Sequence, residues 1–172
     1  MKHFLNILLF VVITSLKVQA QYEVIPDDME PGSKILMGII SKQIIVNDTS
    51  YKWYAQNQII YSNPDTAIVN AFARNKAAVN YIIFAGTWCE DSQFIIPKFF
   101  ILQEKAGIPN DHITLFGLNR QKQTSGNMAS AFKIKNTPTI IVMKDGKEIG
   151  RVVEYGKTGR WDKELADILN LN

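Results

Sequence analysis

The chain has 172 residues, 47% of them hydrophobic, with 19 basic against 16 acidic side chains and a formal charge of +3. That apolar share supports one packed core. The near-balance of charge, with no stripe of Lys and Arg carrying interleaved aromatics, argues against nucleic acid as a partner, because phosphate binding needs clustered cations. The single cysteine, Cys89, excludes any internal disulfide.

Residues 1–20 read as an export signal. Lys2 and His3 form a short charged start, residues 4–16 are apolar except for Asn6, Thr14 and Ser15, and Val18-Gln19-Ala20 places small residues at a cleavage site before Gln21. The apolar run is too short to span a bilayer, so no stable membrane span is expected after cleavage. Removing Lys2 and Lys17 leaves 17 basic against 16 acidic residues, a net charge of +1 on the remaining 152 residues. The expected location is outside the cytoplasm.

Residues 21–32 are polar and Pro-bearing, with Asp27, Asp28 and Glu30 close together, and are expected to be a mobile leader. Residues 35–40 and 44–46 are β-branched-rich, either a strand pair or a strand followed by a short helix, since short apolar runs do not discriminate. Residues 49–60, with Tyr51, Trp53 and Tyr54, predict one helix with an aromatic face. Asn63-Pro64-Asp65 starts another, on which Ile68, Val69, Phe72 and Ala73 recur at helical spacing.

Residues 79–85 form a continuous apolar run, the pattern of a strand buried on both faces. It leads into Gly86-Thr87-Trp88-Cys89-Glu90-Asp91-Ser92, where a nucleophile opens a helix carrying Phe94, Ile95, Phe99, Ile101 and Leu102, with Pro97 expected to kink it. Residues 113–118 predict a second buried strand and residues 126–132 a short helix. Two β-rich runs, 139–143 and 148–153, flank Asp145-Gly146, a strong hairpin signal because the tight turn needs positive φ at both central positions. Residues 161–171 close the chain as an amphipathic helix with Leu165, Ile168 and Leu169 inward.

A thiol reacts as the thiolate. A helix N-terminus supports that anion, whereas Glu90 and Asp91 in the first turn oppose it. In a Cys-x-x-Cys pair the second sulfur would stand at Ser92, one turn on. The Ser92 hydroxyl is expected to hydrogen-bond back to the Cys89 sulfur, with Trp88 as an apolar wall.

His112 is the only histidine beyond residue 20, but it begins its strand about 17 Å from the end where Cys89 lies, which disfavours a Cys/His pair. One cysteine and one histidine make no zinc cluster, so neither metal nor cofactor is expected. Gly156-Lys157-Thr158 lacks the spacing and the parallel strand of a phosphate loop. Asn47-Asp48-Thr49 is a glycosylation sequon by pattern only.

Together these residues resemble the thioredoxin superfamily, in particular its exported, bacterial TlpA-like relatives. The resemblance is carried by Trp88-Cys89 at the head of a helix, by Pro97 eight residues later, and by Thr137-Pro138-Thr139 before the Asp-Gly hairpin. It covers residues 64–172 and leaves 21–63 as an N-terminal extension. It implies an α/β thioredoxin fold, a central mixed β-sheet flanked by helices. It also implies a cis peptide bond before Pro138, with the Thr137 backbone beside the sulfur so that Trp88, Thr137 and Pro138 contact an extended peptide.

The chain departs from that family where the second cysteine is Ser92 and a buried acid is Ile83. The functional expectation is therefore monothiol exchange by Cys89 and Ser92 with protein thiols or disulfides, aided by an external reductant thiol. The alternative is a redox-inactive module that binds extended peptides or a protein partner.

Overall fold

A computed structural model describes residues 21–171; the expected signal segment lies outside the described residues. Six strands form one mixed sheet in the order β1-β2-β4-β3-β5-β6: β1 Tyr22–Pro26, β2 Lys34–Ile40, β3 Asn80–Ala85, β4 Ile113–Gly117, β5 Thr139–Lys144 and β6 Lys147–Val153. Only β3 and β4 run parallel, with Tyr81 opposite Ile113 and Ala85 opposite Gly117. The other neighbours are antiparallel.

Strand alternation sorts the core onto two faces. Tyr81, Ile83 and Ala85 of β3 join Leu115, Ile140 and Val142 in the larger cluster, under helices α1 Lys42–Val46, α2 Trp53–Ile60, α3 Thr66–Asn75, α4 Glu90–Ala106 and α6 Trp161–Leu171. Phe84, Phe116 and Ile141 face the other way and meet α5 Met128–Ala131 through Ala129. Phe84 stacks on Phe116 with ring centroids 5.0 Å apart.

Local chemistry explains most boundaries. Asp65 caps α3, its carboxylate accepting from Ala67 N at 2.8 Å. Gly107, left-handed at φ 68°, ends α4. Asp145 and Gly146, at φ 50° and 74°, supply the positive φ that the β5-β6 hairpin needs. Helix α4 continues through Pro97, which is buried within it.

The N-terminal part corrects the sequence expectation. Residues 21–32 are not a loose leader, because Tyr22–Pro26 pairs antiparallel with β2 and Asp27 is buried. Its mostly exposed side chains make it an edge strand held by backbone pairing, which gives little apolar signal. Of the two readings of 35–46, the strand followed by a helix is observed. The aromatic helix begins at Trp53, four residues later than expected, after a turn at 49–52.

Candidate functional site

Strand β3 delivers the chain at Ala85 to a tight passage through Gly86. A Cβ there would stand 2.7 Å from the Trp88 indole, so only glycine lets the ring fold back. Trp88 is half-buried and donates its Nε1–H to Leu118 O at 2.8 Å, which fixes the indole across the end of β4. Cys89 follows as the N-cap of α4, extended at φ −93° and ψ 121°, and is partly exposed.

The Thr137–Pro138 peptide bond is cis, and the Cys89 thiol donates to Thr137 O at 3.2 Å. Glu154 N donates to Pro138 O at 2.7 Å, fastening this loop to the end of β6. Thr137 and Pro138 are buried. Thr137 thus holds the sulfur from a buried position, whereas Trp88 reaches the surface.

Ser92 is 2% exposed, and its hydroxyl is used elsewhere than at the sulfur. Ser92 Oγ lies 3.2 Å from both Gly86 N and Thr137 Oγ1. Thr137 Oγ1 also accepts from Gly86 N at 3.1 Å and donates to Phe84 O at 3.3 Å. One hydroxyl proton already committed to Phe84 O requires Ser92 to be the donor to Thr137. The expected Ser92–sulfur hydrogen bond is thus replaced by a buried network joining the Cys89 helix to the Pro138 loop. Ile83, at the position of the family's buried acid, is fully enclosed.

Three groups that sequence reasoning missed flank this site. Arg120, in the loop after β4, binds the Asp27 carboxylate through two hydrogen bonds of 2.6 and 2.8 Å and lies 5.1 Å from the Trp88 ring. That contact holds the Asp27 carboxyl below the usual carboxylate range, and Asp27 in turn raises Arg120. Gln93 donates to Thr87 O at 2.8 Å. Tyr155, after β6, is raised by burial first and then by the negative charge of Asp91.

A polar cleft of about 590 Å³ runs beside Trp88, between Thr87 and Gln93 on one side and Asp27, Lys34 and Tyr51 of the extension on the other. His112 stands at the opposite end of the sheet, its Nδ1 3.0 Å from Val79 O. Among the described residues, no three His, Cys, Asp or Glu side chains are grouped to hold a metal, and no helix is long and apolar enough to cross a membrane.

The arrangement can present one partly exposed sulfur at the head of α4, next in sequence to a tryptophan that lines a polar cleft. Known proteins share its frame. A family model described as Thioredoxin matches residues 64–168. A thioredoxin from Staphylococcus saprophyticus is 31% identical over 80 residues, 46% of this chain and 72% of that protein. A second, from Staphylococcus haemolyticus, is 30% identical over 95 residues, 55% of this chain and 83% of that protein. Thioredoxin H9 of Arabidopsis thaliana is 32% identical over 74 residues, which span only 49% of it and 43% of this chain.

Among solved structures, an HIV epitope scaffold superposes with a TM-score of 0.54 at 14% identity, covering 76% of this chain and 90% of its own. A protein of unknown function from Pseudomonas aeruginosa gives 0.52 at 13% identity, covering 74% and 87%. These two likenesses concern the fold alone. With the family match spanning more than half of the sequence and the thioredoxin fold around Cys89, the chain belongs to the thioredoxin family.

Proposed function

We propose that this protein is an exported, TlpA-like member of the family that performs thiol-disulfide exchange through Cys89 alone. Family membership supports redox chemistry at a general level. The observation that carries the monothiol reading is the use of Ser92, whose hydroxyl is buried in the network with Gly86 and Thr137 where a resolving sulfur would otherwise stand.

In the proposed reaction the Cys89 thiolate attacks one sulfur of a substrate disulfide. A Cys89–substrate S–S bond forms as the substrate S–S bond breaks, and the second substrate sulfur leaves as a thiolate. Release needs another thiolate, from the substrate itself or from an external thiol, which attacks the mixed disulfide and returns Cys89 as thiolate. When the substrate's own thiol attacks, the substrate leaves with a rearranged disulfide and no net electron transfer. A single-thiol site therefore suits isomerisation or capture better than net reduction.

The test is refolding of a protein with scrambled disulfides in a glutathione buffer. The expected result is acceleration by the wild-type protein and none by Cys89→Ala. If the two proteins behave alike while an unfolded peptide still binds both with equal affinity, the chain is a redox-inactive peptide-binding module.

A further inference from the structure

Lys98 lies in α4 between Pro97 and Phe99, in the most apolar stretch of the helix. Its side chain is 2% exposed, and its ammonium has no hydrogen-bond acceptor among the described residues. Its near neighbour is the Phe94 ring, with the centroid 2.6 Å from Nζ. A ring face offers a buried cation partial compensation only, because it lacks the localised charge of a carboxylate.

Phe94 is itself an exposed residue, in contact with the Tyr155 ring at 5.7 Å. Lys98, Phe94 and Tyr155 border a cavity of about 230 Å³ that Tyr61, Arg160, Trp161 and Asp162 also line. The acid nearby is already engaged. Asp162 accepts from Tyr61 Oη at 2.7 Å, from Lys163 N at 2.8 Å and from Arg160 at 3.4 Å.

We propose that this cavity is a carboxylate subsite for the substrate chain, in which an Asp or Glu side chain of an extended peptide turns the Phe94 ring aside and pairs with Lys98. Charge complementarity names the occupant: with the Asp162 carboxylate already taken up by Tyr61, Lys163 N and Arg160, the cavity is left with one buried cation, Lys98, that has no hydrogen-bond acceptor among the described residues. Position ties it to Cys89. Phe94 and Lys98 follow the cysteine by five and nine residues, about 7.5 and 13.5 Å along the helix. A peptide disulfide-bonded at Cys89 covers that span in two to four extended residues at about 3.3 Å each. The acidic residue of the substrate therefore lies two to four positions from its reactive cysteine, and it must pass Asp91, which repels a carboxylate placed closer to the sulfur. Burial lowers Lys98 to about 8, in keeping with an ammonium that lacks a counter-ion.

This inference rests on the exchange reading, and the test separates the two. Peptides capped at both ends carry one cysteine activated as a thiopyridyl disulfide and either Glu or Gln three residues away. Attack by Cys89 forms the mixed disulfide and releases the thiopyridine leaving group. With the wild-type chain, the Glu peptide is expected to react at least fivefold faster than the Gln peptide, and Lys98→Met is expected to bring the ratio to about one. A wild-type ratio below two, or an undiminished ratio in Lys98→Met, overturns the subsite and leaves the exchange reading standing. If neither peptide reacts, exchange fails, and the subsite is decided by calorimetric binding of the same peptides, cysteine replaced by serine, to Cys89→Ser protein: a fivefold preference for Glu supports it, and equal binding overturns it.

Discussion

Thr137→Val isolates the network that joins the sulfur's helix to the Pro138 loop, because it removes the hydroxyl while nearly keeping the side-chain shape. Three contacts depend on that oxygen: acceptance from Gly86 N at 3.1 Å, donation to Phe84 O at 3.3 Å, and the 3.2 Å contact with Ser92 Oγ. Gly86 N keeps Ser92 Oγ at 3.2 Å as an acceptor, so it is not orphaned. Ser92 loses its acceptor inside a site where it is 2% exposed. Two lost hydrogen bonds at about 1 kcal/mol each, with part of an unsatisfied buried donor added, give about 2–3 kcal/mol.

Urea unfolding followed by circular dichroism should then show the midpoint falling by about 1–1.5 M, for a slope of about 2 kcal/mol per molar. Thr137→Ser keeps the hydroxyl and loses one buried methyl, so it should cost only about 1 kcal/mol. In a double-mutant cycle, Thr137→Val introduced after Ser92→Ala should cost about 1 kcal/mol less than in the wild type. If Thr137→Val proved no worse than Thr137→Ser, or if the cycle were additive, the network would not be what couples the two segments.

Ser92→Cys supplies the missing resolving thiol, so insulin reduction driven by a dithiol reductase should rise at least tenfold over wild type; equal turnover would refute the resolving-position argument. Lys98 is lowered to about 8 by burial, so between about pH 8 and 10 the unfolded chain binds more protons and stability should rise with pH. Lys98→Met should abolish that rise and should raise stability at pH 7, judged against the groups around it, Tyr61, Tyr155, Asp91, Arg160 and Asp162. Asp48 is held down at about 2 by Lys34 first, its ammonium 2.5 Å away, and then by Ser50. The stability it contributes is present above the unfolded value near 3.8 and is lost as pH falls towards 2, so Asp48→Asn should flatten the acid limb of a stability profile there.

What the sequence disclosed was what it encodes locally. Trp88-Cys89 after an apolar strand, Pro97, Thr137-Pro138 and the Asp145-Gly146 turn each carry their geometry within a few residues. The edge strand Tyr22–Pro26 does not, because its place depends on pairing with β2 rather than on its own burial pattern. Arg120 and Asp27 are 93 residues apart in sequence, and nothing near either announces the contact that sets Arg120 against Trp88. The redirection of the Ser92 hydroxyl follows from Thr137, 45 residues away in sequence, in the loop before β5. Lys98 did leave a trace, a lone cation in Ile95-Ile96-Pro97-Lys98-Phe99-Phe100, which composition-based reading passes over as a solvated residue.

Intact-mass analysis of the protein mixed with a peptide whose single cysteine is activated as a thiopyridyl disulfide, so that the leaving group does not attack back, and without any external thiol, tests single-sulfur exchange most directly. One peptide should attach per chain, at Cys89, and the adduct should persist until glutathione is added; Cys89→Ala should stay unmodified, and Ser92→Cys should release the peptide as a thiol and finish two hydrogen atoms lighter than it began. An unmodified wild-type protein, or a wild-type adduct that resolves unaided, would contradict it.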